Sequence, residues 1–265
     1  MPDLPLPTLQ SAFAAARRIV VMSGAGLSTE CGVPDFRSRG SPWLTHPPIA
    51  YADYLASPTL RNEAWRRKFA LDDTWAGARP GRGHKALAAM VASGHVIGII
   101  TQNIDGLHQA SGVPAAALAE LHGNGTFAAC LSCGMRYELA TLRAEFAGSG
   151  SIAPCGCGGI IKSATISFGQ AMPKEPLARA EAWARGCDLF IVVGSSLLVQ
   201  PAASLPLVAR QAGARLAIIN REATPLDPLA DMVLHAEVGP VLSALHVHNQ
   251  NVPQNSEKAA VATIP

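Results

Sequence analysis

The chain has 265 residues, 49% hydrophobic and 15% charged, and 21 Lys plus Arg against 19 Asp plus Glu leave a formal net charge of +2. That length buries a full core and fits one large α/β domain, or one such domain carrying a small insertion. No basic run, few aromatics, no apolar stretch near the roughly 18 residues of a membrane span and no leader pattern in MPDLPLPTLQ argue against nucleic acid and membrane as direct partners, so a soluble, cytoplasmic protein is expected.

Residues 8–18, TLQSAFAAARR, predict an Ala-rich helix leading into a first strand, Ile19 to Met22. The strand breaks at Ser23 into Gly24, Ala25 and Gly26, a turn that lets phosphate approach backbone N–H groups without meeting a Cβ; an ordinary strand-to-helix turn has the same pattern. Thr29 stands where the dinucleotide fingerprint has its third glycine. Gly32 and Pro34 keep any helix short, so a long loop carrying Asp35, Phe36 and Arg37 is expected to lie over a bound nucleotide. Residues 48–72 predict two short helices divided at Ser57 and Pro58, with Tyr51, Tyr54, Leu55, Leu60, Trp65 and Phe69 on one stripe.

A helix is expected over His84 to Ala92 and a second strand over His95 to Ile100. That strand ends in TQNIDGLH, residues 101–108. Ligands collect at the carboxyl ends of parallel strands, so two polar ends in one sheet point to one crevice. An Asx turn in which Asp105 starts a short helix to Ala110 uses the same residues and is compatible with ligand contact. Ala117 to Leu121 then delivers His122 beside Gly123, accessible and able to titrate near neutrality as a general base must; a structural histidine is the competing reading.

Cys130-x-x-Cys133 and Cys155-x-Cys157 have the spacing of a structural zinc ribbon, favoured here over disulfides. Four sulfurs leave no position for water, so the metal is expected to be structural. The Cys-x-Cys pair, where Cys-x-x-Cys is usual, strains the chelate. Cys31 and Cys187 fall outside the pattern. Ile160 to Gly169 reads as extended and Lys174 to Gly186 as a helix. Asp188 to Val193 is the clearest buried strand and ends in Gly194, Ser195 and Ser196. A helix over 200–212 and a strand from Ala214 to Ile219, ending at Asn220, Arg221 and Glu222, come next. Val233 to Ala236 and Val238 to Val247 predict a last strand and helix, and from His248 onward, without apolar periodicity, a disordered tail is expected.

Together GAGLSTECGVPDFRS, TQNIDGLH, LHGN, the paired cysteines, SFG, GSSL and INRE resemble, in order and distance, the bacterial-type members of the sirtuin family of NAD-dependent protein deacylases, over about residues 10–245. The resemblance implies an α/β fold: a Rossmann-like parallel-sheet domain (1–39, 76–122 and 162–247) and a small domain made of a helical insertion (40–75) and a zinc ribbon (123–161), with 248–265 as the tail. NAD would meet Gly24, Ala25, Gly26 and Ser28 at its pyrophosphate and Asp35, Phe36 and Arg37 near the nicotinamide ribose. Gln102, Asn103 and Asp105 would line the nicotinamide pocket, and Gly194, Ser195, Ser196, Asn220, Arg221, Glu222 and Val238 would hold the adenosine half. One structural zinc would sit on Cys130, Cys133, Cys155 and Cys157.

The implied reaction is attack of an acyl-lysine carbonyl oxygen on C1′ of the nicotinamide ribose, with His122 as general base on the ribose hydroxyls, supported by Asn103 and Asp105. Its products would be free lysine, nicotinamide and O-acyl-ADP-ribose. Ile166, Ser167, Phe168 and Gly169 match the segment to which the peptide adds as a strand, and Gln170 stands where an acid is common. Trp65 and Lys68 stand where members that remove acidic acyl groups carry Tyr-x-x-Arg; a pocket lined by Trp65 favours a neutral acyl group, so acetyl is expected, while Lys68 is able to attract an acid. A mono-ADP-ribosyltransferase or NAD glycohydrolase is the enzymatic alternative and an NAD-sensing binding module the non-enzymatic one. The histidine and the peptide segment favour deacylation.

Overall fold

The structure, a computed structural model, describes residues 6–35 and 47–251. Its first half runs α1 (Leu6–Ala15), β1 (Ile19–Ser23), α2 (Tyr51–Ala56), α3 (Pro58–Thr74), α4 (Arg82–Ala92), β2 (Val96–Thr101), α5 (Leu107–Ala110), β3 (Leu118–Glu120) and β4 (Gly123–Cys130). There follow β5 (Arg136–Glu138), α6 (Leu139–Ser149), β6 (Ile161–Thr165), α7 (Lys174–Gly186), β7 (Leu189–Val193), α8 (Leu205–Gln211), β8 (Arg215–Ile219), β9 (Met232–Leu234) and α9 (Val238–Asn251).

Continuous apolar runs must bury both faces, and the central strands of the large sheet, β1 and β7, are built on such runs, Ile19 to Met22 and Leu189 to Val193. Ile19 and Val21 of β1 enter one core layer with α1, α4 and α9; Val20 and Met22 enter the other with α7 and α8. β7 divides the same way, Leu189, Ile191 and Val193 against Phe190 and Val192. The six strands are parallel in the order β3-β2-β1-β7-β8-β9. The chain therefore grows outward from β1 in one direction and resumes at β7 on its other edge. A crevice opens at the carboxyl ends between these two strands, the switch point where α/β sheets bind ligands.

The small sheet is antiparallel, β5-β4-β6. Trp65 and Phe69 of α3 share one core with Ala128, Leu142 and Ile161, so the helical insertion and the ribbon pack as a unit. Ser57 caps α3 by accepting from Leu60 N at 3.2 Å, with Pro58 at the first helical position, as the break in the stripe predicts. β4 begins just after His122 and β6 ends just before Ile166, which puts the functional segments at the junction of the two sheets.

Several boundaries differ from the sequence reading. α1 stops at Ala15 because the amides of Arg17 and Arg18 donate to the Asp188 carboxylate, at 2.8 and 2.9 Å. The helix expected over 200–212 opens as a 3-10 turn, Ala202–Ser204, before α8. α9 runs past Val247 to Asn251, so the tail expected from His248 begins with helix, and 252–265 lie outside the described residues. β4, β5 and α6 had no counterpart in the sequence reading.

Candidate active site

A cleft of about 750 Å³ runs along the carboxyl ends of the large sheet and under the small domain. Gly24, Ala25, Gly26, Asp35, Gln102, Asn103 and His122 line it, as do Ile166, Ser167, Phe168 and Gly169. Gly194, Ser195, Ser196, Asn220, Arg221, Glu222 and Val238 complete its far wall. Sequence positions spread over more than 200 residues thus meet in one cleft. Phe36 and Arg37 lie outside the described residues.

The glycine turn is built differently from the sequence expectation. Gly24 N donates to Val193 O and Gly26 N to Gly194 O, each at 2.9 Å, so these two N–H groups are engaged by the end of β7. A Cβ on Gly24 would sit 2.6 Å from Gly194 O and 2.8 Å from Ser195 Cα. Gly194 itself has φ +63° with Leu27 N at 2.5 Å from its ideal Cβ. The glycines let two strand-end loops touch backbone to backbone, and they form the floor of the cleft by that contact.

Beneath this floor lies a polar network the sequence reading missed. Ser23 Oγ donates to Thr101 Oγ1 at 2.8 Å, and Thr101 Oγ1 also accepts from Asn103 N at 3.1 Å. With its one proton so used, Ser23 Oγ accepts at 2.8 Å from Nε2 of the buried His108. Asn103 Nδ2 donates to Gly24 O and to Ser28 Oγ, both at 3.1 Å, which turns its amide oxygen away from the network. Ser28 Oγ donates to Asp105 Oδ2 at 2.7 Å, and Asp105 Oδ1 accepts Leu107 N at 2.9 Å. Asp105 therefore has both oxygens engaged and faces a separate small cavity behind Asn103, and the buried Ser28 stands with it outside the cleft lining. His84 packs edge-on to His108 with ring centroids 5.2 Å apart. Burial keeps both imidazoles neutral, pulling His84 below the ordinary value and His108, with His84 adding to it, down to about 3.

His122 is partly buried at the end of β3, and its Nδ1 lies 3.1 Å from Gln102 O. A carbonyl only accepts, so Nδ1 carries the proton and the neutral ring presents Nε2 as a base. Burial, its largest influence, lowers the pKa, partly offset by the bond to Gln102. Gln102 is held in turn, its Oε1 accepting from Ser195 Oγ at 2.6 Å. On the opposite wall Ile166 N donates to His122 O at 2.8 Å and Phe168 O accepts from Tyr51 N at 2.9 Å, so the Ile166–Gly169 segment bridges the base and the helical insertion. Trp65 lines the cleft and also sits in the small-domain core. Lys68 is paired with Asp72, which cancels its charge locally.

The four cysteine sulfurs lie within 4.8 Å of one another, with Cys130 to Cys157 and Cys133 to Cys155 each at 3.6 Å. A tetrahedron of thiolates about 2.3 Å from zinc separates its sulfurs by roughly 3.8 Å, so all four fit one ion, the Cys-x-Cys pair included.

The Sir2 family model matches residues 24–201. The chain is similar, at 51% identity over 87% of its own length and 91% of the relative's, to a protein named NAD-dependent protein deacetylase 1 from Bradyrhizobium diazoefficiens. A protein named NAD-dependent protein deacetylase from Rhodopseudomonas palustris is 49% identical over 87% of this chain and 91% of that one. Among solved structures, a Sir2 homologue mutant in complex with ADP ribose matches with a TM-score of 0.80 at 30% identity, covering 92% of this chain and 96% of that one. A Sir2 bound to acetylated peptide matches at 0.82 and 27%, covering 93% and 99%.

Proposed function

The chain belongs to the Sir2 family and is an NAD-dependent protein deacetylase acting on acyl-lysine peptides, and we propose that His122 is its general base, acting through Nε2. The observation that carries this assignment is the Nδ1–H bond to Gln102 O, which fixes the tautomer with its free lone pair on Nε2, in a residue lining the cleft. Bound NAD supplies the electrophilic ribose carbon and the nicotinamide leaving group. The chain's own residues orient, desolvate and move one proton. Asn103, locked by Gly24 O and Ser28, aims its amide oxygen at the nicotinamide end; Asp105 acts by holding Ser28 and the turn before α5. Gly24, Ala25 and Gly26 floor the pyrophosphate, Gly194, Ser195 and Ser196 face the adenosine ribose, and Asn220, Arg221, Glu222 and Val238 close that end. Asp35 stands 3.8 Å from Arg221 across this half of the cleft.

The peptide adds along Ile166 to Gly169, with its acyl-lysine directed at His122. The pairing of Lys68 with Asp72 and the indole of Trp65 suit a neutral acyl group, acetyl first. One zinc on Cys130, Cys133, Cys155 and Cys157 is structural, since sulfur fills every position. Among the described residues no helix is long and apolar enough to cross a membrane. We place the protein in the cytoplasm with no direct nucleic-acid or lipid partner.

The test is mass spectrometry of an acetyl-lysine peptide with and without NAD. Deacetylated peptide and O-acetyl-ADP-ribose, formed in equal amounts and only with NAD, are expected. NAD consumption with an unchanged peptide would replace this reading by glycohydrolase or ADP-ribosyl transfer.

A further inference from the structure

Lys162 is 4% exposed and lines the cleft, yet among the described residues no carboxylate pairs with it. A buried ammonium without a counter-ion is costly unless its protons are all usefully placed. The β4–β6 ladder shows where they go. Gly123 pairs with Thr165 and Ala128 with Ser163, so four residues of β4, Asn124 to Phe127, stand against Ala164 alone. In that bulge the β4 amides turn elsewhere, Gly125 N to Ile104 O at 2.7 Å and Thr126 N to Asn124 Oδ1 at 2.8 Å. β6 is also the outer strand of that sheet, and the bond from Ile166 N to His122 O brackets a pair, Gly123 and Thr165, whose own backbone groups turn away from each other, so the Thr165 carbonyl faces the free edge and needs another donor. Lys162 Nζ donates to Thr165 O at 2.5 Å and to Ser163 O at 3.3 Å, folding back along its own strand.

We infer that Lys162 is a positioning residue for the peptide, an internal strap that holds the end of β6 extended so that Ile166 to Gly169 is presented as a ready edge. This rests on the deacetylase reading for the identity of the substrate. Lys162 is not alone on this strand: Tyr54 Oη donates to Ile161 O at 2.8 Å, and the Lys162 ammonium lies 5.9 Å over the Tyr54 ring. Tyr54 anchors the start of β6, Lys162 its end, and Tyr51 N the segment beyond, at Phe168 O. The strap thus ties the peptide-bearing segment to the small domain, while Ile166 N ties it to His122. Burial lowers the Lys162 pKa to about 8, which leaves it mostly charged at neutral pH and without need of an acid.

The decisive variant is Lys162→Met, close in volume and free of donors, compared with Lys162→Arg, which keeps them. For K162M the expected result is a peptide KM raised about tenfold, kcat within about twofold, NAD KM unchanged and the thermal midpoint held within a few degrees; K162R is expected to recover most of the peptide KM. A folded K162M with unchanged peptide KM overturns the strap. So does a parallel fall in kcat and in affinity for both substrates, which marks a merely structural lysine. Should K162M not fold, Lys162→Gln, with one amide donor on a shorter chain, must show the same split or the strap is rejected. If the wild type turns over no acyl peptide, the deacetylase reading fails on its own; the strap is then judged by binding of a fluorescent acetyl-lysine peptide, about tenfold weaker in K162M if it holds and equal if it does not.

Discussion

The two walls of the cleft are made by opposite means. The large-domain wall is a sheet buried on both faces, and its polar groups bond to one another: Ser23, Thr101, Asn103, Ser28, Asp105 and His108 form one network before any ligand arrives. The small-domain wall has a short shared core, two of its four cysteines exposed, a ladder broken by a bulge, and an outer strand whose edge carbonyls are met by a side chain. A wall of the first kind is rigid at its own expense, whereas the second depends on a metal and a few tethers. The segment proposed to meet the peptide is built on the less self-sufficient scaffold.

Removing zinc should separate the walls most completely. A strong chelator is expected to abolish peptide turnover and to release the amides of β4, β5 and β6 to rapid hydrogen exchange, while β1, β2 and β7 stay protected. Protection lost in both sheets together would show that the walls are one cooperative unit and end the contrast. Next in size is His122→Ala. The wild-type base contributes on the order of 10²–10⁴-fold, so kcat is expected to fall by about that factor with NAD affinity changed less than threefold. Appreciable remaining deacetylation would remove His122 from the assigned role.

Asn103→Ala acts on the prebuilt wall. It deletes the donors to Gly24 O and Ser28 Oγ from a residue that lines the cleft, and about a hundredfold loss in kcat/KM is expected, with NAD KM rising and peptide KM nearly still. That is the mirror of the split expected for Lys162→Met. Equal effects on both substrates from either variant would mean that the walls do not divide the labour.

Much of the first wall was legible in the sequence because its signals are local. Ile19 to Met22 and Leu189 to Val193 are unbroken apolar runs, Lys174 to Gly186 carries its own helical pattern, and each polar strand end follows its strand directly. The second wall was legible in its two helices, its cysteines and the extended segment from Ile160, but not in the strands between them. β4, GNGTFAAC, is rich in small residues and shows no alternation because its bulge breaks the period, and β5 is only Arg136–Glu138. His108, His84 and Lys162 looked ordinary in the sequence, since burial and the partners beneath or beside them are set by strands 50 to 90 residues away or by the fold-back of a single side chain. The Gly-x-Gly turn was located correctly and explained incompletely: its N–H groups serve β7, a contact no spacing within the motif announces.

The smallest expected effect concerns pH and the floor of the first wall. His108 is fully buried with Nε2 on Ser23 and, among the described residues, no partner for Nδ1, and its folded pKa is depressed to about 3. The unfolded chain takes that proton near 6.5, so below this value the unfolded state binds more protons than the native one. Stability is therefore complete above about pH 6.5 and drains away as pH falls toward 3, with a slope approaching 1.4 kcal/mol per pH unit in the middle of the window. His84, lowered in the same direction by burial, adds to the slope. Zinc release by protonated thiols would also destabilise the protein in acid, but from the other wall. His108→Gln, which removes the titration and keeps an amide donor for Ser23, is expected to flatten the acid loss of protection in β1 and β7 and to leave the loss in β4 and β6 as it was. If the variant flattens neither sheet, the buried imidazole is not what makes the floor acid-sensitive; if it flattens both, the two walls share one acid transition, and the division of the cleft into a self-sufficient side and a tethered side does not survive.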